Sequence, residues 1–160
     1  MDESAYMRLA LAEGRRALPA CLPNPPVGCL LVRGDEVIAS GHTQPPGADH
    51  AEAMALRQVQ GDLVDVTAFV TLEPCSFIGR TPSCASALVA RKVKRVVVAI
   101  LDPDPRNAGR GIEMLMAGGV LVEVGVLRAE AMKDLSAYLA LPANRPLRRT
   151  PEATGGGERR

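Results

Sequence analysis

A chain of 160 residues is about one domain's worth, and its 47% hydrophobic and 23% charged residues, at a mean hydropathy of +0.06, describe a packed core rather than a disordered segment. The longest apolar run, Val96–Leu101, is far too short to span a bilayer, and a formal net charge of +1 with no Trp lacks the basic, base-stacking surface that nucleic acids demand. With the acidic start Met1-Asp2-Glu3 in place of a signal sequence, the chain reads as cytoplasmic, with neither a membrane nor a nucleic acid as partner.

Residues 3–17 are rich in helix formers, with Gly14 as an interruption. The stretch Pro19–Pro26, with four prolines and Asn24, excludes regular structure and makes a loop able to line a pocket. Val27–Val32 and Glu36–Ser40 read as an antiparallel hairpin turning at Gly34-Asp35, where a leading Gly suits a type II′ turn. That turn also accounts for Arg33-Gly34-Asp35, a string otherwise suggestive of cell adhesion. A helix is expected from near Asp49 to about Gln60, burying Ala53, Leu56 and Val59, with Gly61 closing it. Beyond it come a strand at Val66–Leu72, a helix at Ser83–Arg91, a strand at Arg95–Leu101, a helix at Gly109–Ala117 and a strand at Val120–Val124.

Alternation of strand and helix from Val66 onward requires crossover connections and strands buried on both faces. The expected fold is therefore a three-layer α/β/α arrangement, a mixed central sheet of about five strands flanked by helices. A last helix is expected over Arg128–Leu141, closing a domain of residues 1–141. Residues 142–160, with Pro142, Pro146, Pro151 and Gly155-Gly156-Gly157, have the composition of a disordered tail.

His50-Ala51-Glu52, Pro74-Cys75 and Cys84 carry the sharpest chemical signal. Taken singly, His50 is an ordinary helix-start residue and either cysteine a small buried hydrophobe. Together they offer Zn2+ an imidazole and two thiolates, a three-ligand set that leaves a position for water and marks a catalytic rather than a closed structural site. The expected helix N-termini favour thiolate over thiol. A zinc site brings the pKa of its water near ~7, and Glu52, two residues after the histidine, is placed to carry the proton. A fourth ligand of Cys or His type could come only from Cys21, Cys29 or His42; Cys29 reads as core and Cys21 as a free thiol. The pattern follows the H-x-E and P-C-x-x-C arrangement of zinc deaminases, except that eight residues separate Cys75 from Cys84, an inserted loop placed to touch substrate.

Several further strings accompany these residues: Asn24-Pro25-Pro26-Val27-Gly28-Cys29, Gly41-His42, Thr71-Leu72-Glu73-Pro74-Cys75-Ser76, Gly79-Arg80-Thr81-Pro82, Asp102-Pro103 and Ala108-Gly109-Arg110-Gly111. Over about residues 2–140 the sequence resembles the deaminase half of the bifunctional riboflavin-biosynthesis deaminase–reductases, within the cytidine deaminase-like superfamily. The resemblance implies hydrolytic removal of an amino group from a phosphoribosylated diaminopyrimidinone. It places Asn24 at the base or sugar, His42 and Arg80 near the ribose phosphate, and Asp102 at the ribose. Ala51, Phe77 and Asp104 complete the substrate-binding candidates.

Two of these depart from the family pattern: Phe77 replaces a histidine after Pro-Cys-Ser, and Asp104 replaces an asparagine in Asp-Pro-Asn-Pro. A carboxylate there is expected to repel a phosphate, so either the phosphate sits elsewhere or the substrate lacks one. The alternative is thus the same chemistry on a related pyrimidine or pteridine-like intermediate; a noncatalytic zinc-stabilised binding module is the third reading. The resemblance further implies a separate reductase acting in the same pathway and a homo-oligomer, dimer or tetramer.

Overall fold

The computed structural model describes residues 1–77 and 82–139, so Arg80 and the expected tail at 142–160 lie outside the described residues. Its strands are β1 (Gly28–Arg33), β2 (Glu36–His42), β3 (Val66–Leu72), β4 (Arg95–Ile100) and β5 (Leu121–Val124). The helices are α1 (Glu3–Arg15), α2 (Ala51–Leu56), α3 (Cys84–Ala90), α4 (Arg110–Ala117) and α5 (Arg128–Leu135), with a 3-10 turn at Ser136–Tyr138. One five-stranded sheet runs in the order β2-β1-β3-β4-β5. β1 is antiparallel to both neighbours, while β3–β4 and β4–β5 are parallel, which makes the sheet mixed.

The apolar strands divide their side chains by the two-residue period of β-structure. Leu31, Ala68, Val70, Val96 and Val98 face α2, α3 and α4, whereas Leu30, Val32, Phe69, Val97 and Ala99 face α1 and α5. Each fully buried Val or Leu contributes about 1.5–3 kcal/mol, and two such faces account for the three layers. β5 departs from the expected two-sided burial: it is a short edge strand, largely exposed, with Leu121 and Val124 open to solvent.

Gly14 does not interrupt α1. A Cβ there would lie 2.7 Å from the Pro26 carbonyl oxygen, so its absence lets the helix rest on the chain entering β1. Asp2 caps the same helix by accepting from the Ala5 N–H at 2.8 Å. The hairpin turns at Gly34 as expected, with φ of +61°.

α2 is shorter than its apolar spacing predicts; Leu56 is buried as expected, but Ala53 and Val59 are only partly so, and Ala51, Glu52 and Ala55 complete the buried face. The Arg91 guanidinium explains the early stop, since it donates to the carbonyls of Leu56 (3.1 Å), Val59 (2.8 Å) and Gly61 (2.9 Å) and so satisfies a turn where the helix would have continued. α5 likewise gives way to the 3-10 turn after Leu135. Among the described residues, no helix is long and apolar enough to cross a membrane.

Candidate active site

The chemically reactive side chains gather where β3 and β4 end and α2 and α3 begin. His50 occupies the N-cap of α2 with extended backbone; its carbonyl accepts from the Met54 N–H, and its imidazole makes no capping bond. Helix and sheet meet closely because of Gly41 in β2, where a Cβ would come within 2.3 Å of the Ala51 carbonyl oxygen. Glu52 follows in the first turn and is only 4% exposed.

Cys75 lies in the loop leaving β3, held by the start of α3: the Ala85 N–H donates to the Cys75 carbonyl at 3.1 Å and the Cys84 N–H to its sulfur at 3.3 Å. Ser83 caps α3 by accepting from the Ser86 N–H. His50 Nδ1 stands 3.8 Å from Cys75 Sγ and 3.3 Å from Cys84 Sγ, and the ligand atoms of the three residues lie within 4.8 Å of one another. Among the described residues no other His, Cys, Asp or Glu joins this group, and Glu52 stands outside it.

The cluster's protons are unevenly held. A hydrogen bond from the Cys84 thiol, followed by His50, draws the Cys75 thiol down to about 4. His50 is raised to about 9, chiefly by its bond to Cys75, and Cys84 is raised by holding the proton shared with Cys75 and by burial. Burial pushes the Glu52 carboxyl up to about 7, with the Cys75 charge adding to it. The Cys84 thiol and the His50 imidazole therefore retain protons that a divalent cation would displace, while the Cys75 sulfur is already a thiolate. As a donor set they suit a soft or borderline metal, with fewer than four protein ligands.

Beside the cluster opens a cavity of about 400 Å³. Its lining includes His50, Ala51, Glu52 and Cys75, and from the sequence-derived substrate candidates Asn24, Phe77, Asp102 and Asp104. His42 does not line it: the ring is turned toward α1, with Nδ1 at 2.6 Å from Glu13 Oε2. The next residue, Thr43, takes the wall position. Its hydroxyl accepts from the Val27 N–H (3.0 Å) and donates to the Pro25 carbonyl (2.8 Å), which fixes the proline-rich loop carrying Asn24. Cys29 is buried in the core as expected; Cys21 is a free thiol, also buried.

Four residues of consequence carry no role in the sequence reading. Thr43 is one. Glu73 is 3% exposed and accepts from the N–H groups of Asp102 (3.1 Å), Gly109 (3.1 Å) and Ile112 (3.2 Å), supplying from the residue after β3 the cap that Gly109 cannot give α4. That helix abuts the metal-side loop because a Cβ on Gly111 would meet the Pro74 carbonyl oxygen at 2.0 Å.

Asn107, fully buried, accepts from Ser76 N–H (3.0 Å) and hydroxyl (2.7 Å) and donates to the Pro74 carbonyl at 3.3 Å. Arg106 pairs with Asp104, Nη2 to Oδ2 at 2.6 Å, so the carboxylate expected to stand uncompensated against an anion has its counter-charge beside it. A glycine at a helix start with no capping side chain was the available signal for Glu73; Arg106 and Asn107 had none.

The chain matches a family model of the cytidine and deoxycytidylate deaminase zinc-binding region over residues 1–100. It is 44% identical over 131 residues to riboflavin biosynthesis protein RibD of Escherichia coli, covering 82% of this chain and 36% of that one. RibD of Acinetobacter baumannii is 43% identical, with a TM-score of 0.81 over 85% of this chain and 38% of that one. The diaminohydroxyphosphoribosylaminopyrimidine deaminase/5-amino-6-(5-phosphoribosylamino)uracil reductase of Thermotoga maritima is 36% identical, with a TM-score of 0.78 over 84% and 39% of the two chains. The chain thus spans little more than a third of the length of these relatives, and the fold it shares with them is the cytidine deaminase-like one.

Proposed function

The chain belongs to the cytidine and deoxycytidylate deaminase zinc-binding family, and on that footing we propose that it is a zinc-dependent hydrolytic deaminase of a phosphoribosylated diaminopyrimidinone in the riboflavin pathway. One observation carries the reading: the ligand atoms of His50, Cys75 and Cys84 converge beside the buried carboxyl of Glu52 at the wall of one cavity. Four free thiols suit a reducing compartment, which we take to be the cytoplasm. A reduction consumes the product, as the joint naming of the Thermotoga maritima relative suggests.

In this reading His50, Cys75 and Cys84 hold the zinc, which when bound supplies the Lewis acidity that makes water a nucleophile at neutral pH. Glu52 takes a proton from that water and returns it to the departing nitrogen. A carboxyl held near 7 can both accept and release a proton at neutral pH. Water adds at the amine-bearing ring carbon, the carbon–nitrogen bond breaks, and ammonia leaves with a carbonyl in its place, the second water proton ending on the adjacent ring nitrogen. Asn24, on the loop pinned by Thr43, and Asp102, held through its N–H by Glu73, orient base and ribose at the open side of the cavity.

A desolvated carboxyl such as Glu52 costs stability and has no use in a noncatalytic zinc module, which counts against that reading. Phe77 and Asp104 on the lining keep the related pyrimidine or pteridine-like substrate as the rival. The test is ammonia release by zinc-loaded protein from phosphorylated and dephosphorylated diaminopyrimidinones and a pterin, assayed side by side. Turnover of the phosphorylated compound, abolished by a chelator and restored by zinc, is the expected result. Inertness toward both pyrimidines with zinc bound removes the assignment, and turnover of the pterin alone transfers it to the rival.

A further inference from the structure

We propose that Arg106 is a specificity residue of this cavity, a guanidinium aimed by Asp104 and Phe77 to take the phosphate of the substrate; the carrier of that phosphate rests on the deaminase reading, the anion site does not. Among the described residues lining the cavity, Arg106 is the one Arg or Lys, facing four carboxyl side chains, Glu52, Glu73, Asp102 and Asp104. Outside the group of His50, Cys75 and Cys84, an anion entering this space meets a favourable charge among those residues only at Arg106.

The guanidinium is held on one edge and left open on the other. Its Nε donates to Asp104 Oδ1 (3.1 Å) and Oδ2 (3.2 Å), and its Nη2 to Oδ2 (2.6 Å). Nη1 makes no hydrogen bond to any described residue, so the edge formed by Nη1 and the second Nη2 hydrogen remains for two phosphate oxygens, the fork geometry that suits arginine to phosphate. Phe77 lies against the group, 5.0 Å from ring centroid to the guanidinium carbon.

The support beneath is local and polar. Asp102 Oδ1 accepts from the Asp104 N–H and Asp104 Oδ1 from the Arg106 N–H, each at 3.0 Å, while the neighbouring Asn107 is locked to the loop of Pro74 and Ser76. A 57% exposed side chain is thereby kept in one orientation toward the cavity. Phe77 and Asp104, both on the cavity lining, are the two side chains that grip Arg106. The three side chains make sense as one device in which the Asp104 carboxylate orients an arginine instead of repelling a phosphate.

The experiment compares binding of ribose 5-phosphate and of ribose to the zinc-loaded full chain and its Arg106→Gln and Arg106→Lys variants, with melting temperature and zinc content checked on each. Arg106→Gln is expected to weaken ribose 5-phosphate by about 10- to 100-fold and leave ribose unchanged, the span that one charge-assisted contact carries. Arg106→Lys, which keeps the charge without the fork, is expected to fall between. Ribose 5-phosphate binding that is absent in the parent, unaltered by Arg106→Gln, or weakened equally with ribose overturns the proposal. Because the probe is not a deaminase substrate, the outcome stands even if zinc-loaded protein releases ammonia from neither pyrimidine, which would sink only the reaction assignment.

Discussion

At the metal side of the cavity His50, Cys75 and Cys84 stand on or beside the starts of α2 and α3; α2 is set against β2 by the close approach at Gly41, and α4 against the Pro74 end of the Cys75 loop by that at Gly111. At the rim Phe77, Asp104 and Arg106 come from two loops, and among the described residues their side chains pair with one another while the Asp104 N–H is held by Asp102. The first arrangement is positioned by close packing and leaves little freedom to vary. The second is positioned by side-chain pairing, so a few substitutions can rebuild it without disturbing the core. Chemistry placed on the rigid half and recognition on the adaptable half is a division that allows one reaction to be fitted to different substrates.

The largest effect that tests this division is expected at Glu52. Glu52→Gln should lower turnover by about 10²- to 10⁴-fold with zinc content unchanged, the range for loss of a positioned proton carrier. Unchanged turnover would remove Glu52 from the mechanism. The same variant reports on stability without metal. The carboxyl is raised from 4.5 to about 7 in the folded protein, so the folded state binds the proton more tightly and stability falls as pH rises from about 4.5 to 7. Gln cannot ionise. Metal-free Glu52→Gln should therefore gain on the parent across that window, by up to about 3 kcal/mol above pH 7, relative to any difference at pH 4. Urea melts at the two pH values read the gain, and parallel profiles would contradict it.

A smaller effect is expected where the two halves join. Glu73 ties the metal-side loop to the rim by accepting from Asp102, Gly109 and Ile112. In Glu73→Gln one carboxylate oxygen becomes a donor facing a donor. Stability should fall by about 1.5–3 kcal/mol, with KM for the pyrimidine rising because the Asp102 loop loosens. A stability loss with KM unmoved would show that the rim is set independently of this link.

What could be read from the sequence follows the same line. The convergence of His50, Cys75 and Cys84, with Glu52 beside them on the cavity wall, was legible because a donor set for a metal demands particular residue types and helix starts supply recognisable spacing. The apolar strands were legible because their burial leaves near-continuous runs such as Val96–Leu101. Gly14 was misread because a glycine inside a helix has two meanings, weak propensity or close approach, and only the partner at Pro26 decides between them. The α2 terminus was misplaced because Arg91, 35 residues after Leu56, takes its carbonyls. At the rim, Asp104 alone reads as repulsion. Its meaning reverses once Arg106 is seen against it, and the apposition of Phe77 across the loops has no periodicity to betray it.

The smallest expected effect separates aiming from contact at that rim. Phe77 is 40% exposed, and a cation–aromatic pair at such a site contributes about 0.5–1 kcal/mol. Phe77→Leu keeps an apolar surface and removes the ring face, leaving Asp104 alone to orient the guanidinium. Ribose 5-phosphate should then bind about 2- to 5-fold more weakly, well short of the loss expected for Arg106→Gln. A loss as large as that of Arg106→Gln would mean that the ring itself touches the ligand, and the rim would then be a binding wall rather than a mount for one arginine. No change at all would assign the aiming to Asp104 alone, since its two oxygens already fix the plane in which the fork lies.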